Sequence, residues 1–183
     1  IGYAVEFAGP AIRNLPIEGR LTICNMSIEF SAKYGFVPPD ETTIEYLKGA
    51  AFAPKGPAWD AAVSYWRSLR TDEGAQFDRE LSVDCDALEP QVTWGISPQQ
   101  VAAVCGRVPN PADAADVEGR RLADRALEYM QLKPGTPIEG LPIDVAYIGS
   151  CTNARLSDLR AAAADGVGAI GAISSMQMPV RGA

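Results

Sequence analysis

A chain of 183 residues has room for a real core, as one domain or two small ones. With 47% apolar and 21% charged residues its composition is that of a globular fold, and it has no run of about 18 apolar residues to cross a membrane as a helix. The net charge of −7 leaves no basic face for nucleic acid, and the absence of histidine excludes Ser-His, Cys-His and His-zinc chemistry built from this chain alone.

The opening IGYAVEFAGP has neither a basic n-region nor a clean apolar core, so it does not read as a secretory signal. It also lacks an initiator Met, which predicts a protein that begins earlier. Tyr3, Val5 and Phe7 alternate with small or polar residues and predict a strand over 3–8, ended by Gly9-Pro10. A helix is predicted over 17–33, entered after Pro16 and stopped at Gly35. Thr42 and Glu45 form a capping box for a short helix that Gly49 ends. Trp59, Val63, Trp66 and Arg70 recur at helical spacing, so 58–70 reads as an amphipathic helix.

Short strands are predicted at 80–85 and 91–94, and Ser97-Pro98-Gln99-Gln100 has the cap, N1 proline and closing Gln of another helix, ended by Gly106. The stretch VPNPADAADVEG (108–119) reads as a linker, dividing an α/β domain over 1–107 from the opening of a second over 108–164. That second part begins with a helix over 112–132, stopped by Pro134-Gly135, and continues with a strand over 143–148 and a helix after Cys151. Residues 165–183 are Gly/Ala-rich, show neither period, and are expected to be weakly structured. Strands alternating with helices place the chain in the α/β class.

Cys151 stands between the predicted strand and helix, where unpaired N–H groups and the helix dipole favour a thiolate. Three readings are open: a small packed hydrophobe, a nucleophile that has no histidine base, or a metal ligand whose partners come from elsewhere. Cys24, Cys85 and Cys105 are isolated, with no C-x-x-C pair, and are expected to pack in the core as reduced thiols. Asn25 and Glu29, at i and i+4 of a predicted helix, share a face that is either solvated or, given Ile23, Met26 and Ile28 beside them, buried and in need of a partner. Asp84, Asp86 and Glu89 lack calcium-loop spacing and read as a solvated turn. The glycines at 166, 168 and 171 do not follow a strand, as a dinucleotide fingerprint requires.

Four runs taken together resemble the aconitase family: GRLTICNMSIEFSAKYGFVPPDETTIEYLKG (19–49), APKGPAWDAAVSYWRSL (53–69), EPQVTWGISPQQV (89–101) and YIGSCTNARLSDLR (147–160). The likeness covers about residues 1–162 and is closest to the family's large-subunit type. It implies part of a layered α/β/α fold in a cytoplasmic enzyme, completed by a small partner subunit. The implied activity is a hydro-lyase that isomerises 2-isopropylmalate to 3-isopropylmalate by dehydration and rehydration, in leucine biosynthesis. Its cofactor is a [4Fe–4S] cluster on three cysteines, with one iron open as a Lewis acid. The first of those cysteines lies in a G-S-C-T-N run, which implies that Cys151 is a ligand and that Ser150 and Asn153 tune the cluster by hydrogen bonds. Glu29 matches the carboxylate that handles the iron-bound water or hydroxyl, and Asn25 a polar residue beside the cluster.

The family's other two cluster cysteines, a C-x-x-C pair, and its active-site histidines are not in this sequence, and the family pattern is lost after about Ala164. The chain is therefore expected to be an internal fragment or a truncated reading frame, inactive by itself. The alternatives are another aconitase-type dehydratase, such as homoaconitase or a citramalate/maleate isomerase, or a non-catalytic α/β module in which Cys151 is only packed.

Overall fold

The computed structural model describes residues 2–147, 149, 152 and 154–164. The chain divides into two compact units, with the break between Cys85 and Asp86.

In the first unit, β1 (Ala4–Glu6) and β2 (Tyr34–Phe36) pair in parallel, with Ala4 opposite Tyr34 and Glu6 opposite Phe36. The Lys33 N–H donates to Tyr3 O at 2.8 Å and the Phe7 N–H to Phe36 O at 2.9 Å, extending the ladder at both ends. Parallel neighbours need a crossover, and this one runs through α1 (Pro10–Asn14), α2 (Ile17–Met26) and a 3-10 turn (Ser27–Phe30). The predicted strand and the helix start after Pro16 are both found. The helix, however, leaves the α form at Met26 and does not reach 33.

Gly35, predicted to stop that helix, lies in the middle of β2. Its role is close approach. A Cβ at Gly35 would overlap the Ser27 hydroxyl and lie 2.8 Å from Ser27 Cβ and 2.9 Å from the Phe7 ring, and Ser27 is fully buried.

Arg20 holds the crossover together and is 2% exposed. Its Nε donates to Leu15 O at 3.1 Å, its Nη2 to Arg13 O at 2.8 Å and its Nη1 to Asp40 Oδ1 at 2.6 Å. The same Asp40 oxygen caps α3 (Glu41–Leu47), accepting from the backbone N–H of Thr42 at 3.0 Å and of Thr43 at 3.3 Å. The cap is thus Asp40 and not Thr42, because the guanidinium fixes the Asp40 carboxylate over the first turn of α3. The Arg20 hydrogen bond holds the Asp40 carboxyl below its ordinary value; partial burial opposes this and the Thr43 and Thr42 amides assist it.

Helix α4 (Pro57–Arg67) has proline in its first turn, and Trp59 meets Trp66 edge-to-face with ring centres 5.7 Å apart. It ends three residues short of the predicted 70, and 80–85 forms no strand, with Leu81 and Val83 exposed.

In the second unit, β3 (Gln91–Thr93) and β4 (Val101–Ala103) form an antiparallel hairpin. β4 replaces the helix predicted from Ser97. Gln100 Oε1 accepts the Ile96 N–H at 2.7 Å, and the Trp94 N–H donates to Gln100 O at 2.9 Å. These bonds close a turn and leave β-branched Val101 to pair across the hairpin.

A 3-10 turn (Pro111–Asp113) precedes α5 (Val117–Met130), whose cap Asp116 accepts the Gly119 N–H at 2.6 Å. Val108, Trp94, Ala126 and Leu127 form the core of this unit, with Ala102, Ala123, Leu132 and Ile138 around it. That core ties 91–108 to α5, so the compact units part upstream of the 108–119 stretch read as a linker. Residues 143–147 form no strand: Val145 and Tyr147 are exposed, and no strand among the described residues lies alongside them. Helix α6 (Leu156–Ala164) is the last described element. The tail 165–183 lies outside the described residues. No helix among the described residues is long and apolar enough to cross a membrane.

Asp40→Asn keeps a capping oxygen but removes the charge facing Arg20. It is expected to destabilise the fold by about 1–2 kcal/mol at neutral pH, a figure reduced because the Asp40 side chain is 38% exposed. Since folding lowers the Asp40 pKa, its contribution is complete above the unfolded value of about 4 and is lost as pH falls through the folded one. Denaturant melts of the two proteins should therefore differ at neutral pH and converge in acid. Gly35→Ala should cost about 1–3 kcal/mol by overpacking, read from the same melts.

Candidate functional site

Asn25 and Glu29 lie at the junction between the α part and the 3-10 part of the crossover, and both are exposed. In an uninterrupted α-helix they would stand about 40° apart around the axis; two 3-10 steps widen this to about 80°. They remain on one side of the element, as the i, i+4 spacing predicts, but splayed. Asn25 is engaged by a further interaction. Of the two readings of this face the exposed one is found: Ile28 is 60% exposed and Met26 39%, with Ile23 half-buried, so this face is open in the chain as it stands. Ser31, in the left-handed conformation at φ 66°, closes the turn by donating its N–H to Ile28 O at 2.9 Å.

Ser150, Cys151 and Asn153 lie outside the described residues. Beyond them, the Arg155 N–H is accepted by Asp158 Oδ2 at 2.9 Å and Arg155 Nη1 donates to Thr152 O at 3.0 Å, which fixes the entry into α6. This helix begins only at Leu156.

The other cysteines do not form a ligand set. Cys24 is half-buried in α2; burial raises its thiol above the ordinary value and the Val37 backbone hydrogen bond offsets part of this, so it packs as a neutral group. Cys85 and Cys105, predicted to be core residues, are exposed, because the 80–85 strand does not form and Cys105 follows the outer end of the hairpin. The Cys105 thiol donates to Glu89 Oε2 at 3.3 Å, and that carboxylate raises its pKa by hydrogen bond and by charge. Among the described residues no three His, Cys, Asp or Glu side chains are grouped to hold a metal. Among the described residues the donors do not make up a complete [4Fe–4S] site, which needs several thiolates converging on the irons.

Two residues that order this region were not singled out from the sequence. Arg20 sits in the first half of α2, before the TICNMSIE run (22–29), with nothing local to mark it as buried. Ser27 carried a signal, a small hydroxyl residue between two site candidates, that only the approach of Gly35 explains.

The parallel β1–helix–β2 unit, the hairpin packed on α5, and the Asn25/Glu29 turn define an α/β segment with an acid–amide pair at a helix end. The chain belongs to the aconitase family: the pattern of the aconitase family (aconitate hydratase) matches residues 1–169, reaching slightly past Ala164. Over 162 residues it is 57% identical to 3-isopropylmalate dehydratase large subunit 1 of Bradyrhizobium diazoefficiens, a match covering 88% of this chain and 34% of that protein. The chain thus spans about a third of the length of the curated relative it matches.

The thiols check the local geometry. Glu89→Gln should shift Cys105 alkylation to lower pH and speed it under mildly alkaline conditions, while Cys24 stays slow in both proteins. Mass spectrometry of alkylation against pH reads this, and an unchanged Cys105 profile would refute the contact.

Proposed function

We propose that this chain is a segment of a 3-isopropylmalate dehydratase large subunit, a cytoplasmic hydro-lyase of leucine biosynthesis that works with a small subunit. The observation that carries this reading is the 57% identity over 88% of the chain to a large subunit of that name. The reaction removes water from a hydroxy-dicarboxylate and adds it back at the adjacent carbon. Such a reaction needs a base for the proton of the adjacent carbon and, separately, a group that gives a proton to the departing hydroxyl and takes one from the returning water.

Glu29 is that group in this reading. It is exposed at the end of a helix anchored from behind by Arg20, so its carboxyl can reach a ligand while its backbone stays fixed. Asn25, on the same side, offers an amide that can donate to a substrate carboxylate or accept from its hydroxyl. Cys151, with Ser150 and Asn153 beside it, would contribute one thiolate to a [4Fe–4S] cluster, the remaining ligands coming from outside this sequence.

In the complete protein assayed with its small subunit, Glu29→Gln is expected to lower kcat for 2-isopropylmalate by about 10²–10⁴-fold with little change in KM. Retained kcat would remove Glu29 from the mechanism, and faster turnover of citramalate by the wild type would overturn the substrate assignment. The 183-residue chain alone, treated with iron and sulfide under anaerobic conditions, should develop no stable [4Fe–4S] absorbance.

A further inference from the structure

The turn that carries Glu29 owes its winding to one side chain. In a continuing α-helix the Ile23 carbonyl would accept the backbone N–H of Ser27. Here that N–H goes instead to Cys24 O, one residue closer, and the Ser27 hydroxyl donates to Ile23 O at 3.0 Å in its place. The side chain therefore satisfies the carbonyl that the backbone has left, and the chain proceeds as 3-10 through Phe30. Ser27 is fully buried, with Gly35 of β2 so close that a Cβ there would overlap its hydroxyl. The Ala32 N–H on Ser27 O at 3.2 Å and Ser31 at φ 66° then close the turn.

We infer that Ser27 is a positioning residue: its hydroxyl ends α2 and sets the 3-10 phase, which decides the direction in which Glu29 is presented. The inference rests on the reading of Glu29 as the proton-carrying group, but the winding of the turn can be tested without it.

Ser27→Ala removes only the oxygen and fits the same space. On the labelled chain, NMR contacts across 25–30 should change from the 3-10 pattern to the α pattern, turning Glu29 by about 40° relative to Asn25. Ser27→Cys, a far weaker donor, should change in the same way. In the complete protein with its small subunit, Ser27→Ala should lower kcat about 10²-fold with KM nearly unchanged. A 3-10 turn that persists in both Ser27→Ala and Ser27→Cys overturns the inference, as does a changed turn with undiminished kcat where Glu29→Gln is inactive. If instead Glu29→Gln keeps full kcat while the turn changes in Ser27→Ala, the Glu29 assignment falls and the control of the turn by Ser27 stands.

Discussion

A buried guanidinium with three acceptors organises the first compact unit. Arg20 joins the carbonyls of Arg13 and Leu15, at the end of α1, to the Asp40 carboxylate that caps α3. A charge this deeply buried is tolerable only when its donors are met, so the three acceptors must arrive together. Their arrival fixes the path of α1 into α2 and the start of α3. β2 lies between those helices in sequence, and its pairing with β1 depends on the same closure. The far end of α2, where Asn25 and Glu29 stand, inherits its position from this anchor.

The face beyond that anchor is open. Met26, Ile28, Phe30 and Tyr34 are exposed around the turn, in a chain that spans about a third of its curated relative. An exposed acid and amide ringed by apolar side chains is a poor solvent-facing surface and a reasonable wall for a site. The reversible dehydration proposed above would give that wall a use. In the proposed reading Cys151 would supply one cluster ligand and Glu29 the proton handling, with the remaining cluster ligands coming from outside this sequence.

Sequence reasoning succeeded where local signals were undivided. β3, with its β-branched centre, lies where it was predicted, and α5 ends near the predicted stop before Pro134-Gly135, though it begins at Val117 and not at 112, because Pro111–Asp113 forms a separate 3-10 turn. It failed where a tertiary partner chose between local options. Asp40 and Thr42 are both capping residues, and only Arg20 decides between them. The segment from Ser97 carries a complete helix-start signature, yet Gln100 folds back onto Ile96 and hairpin pairing takes the rest. Gly35 reads as a stop in sequence and is a point of contact in space. Val145 to Tyr147 have strand composition but no strand beside them among the described residues. For the site, spacing alone placed Asn25 and Glu29 on one side of a helix; their roles came from the resemblance, because an exposed carboxylate without its ligand looks like any other.

The most direct measurement is a crystal structure of the complete protein with its small subunit and a bound isopropylmalate analogue. In that complex Cys151 should sit on a cluster iron, with the Glu29 carboxylate within hydrogen-bonding distance of the analogue's hydroxyl and held on a 3-10 turn. A Glu29 side chain turned to bulk solvent in that complex, with another residue against the hydroxyl, would contradict this placement.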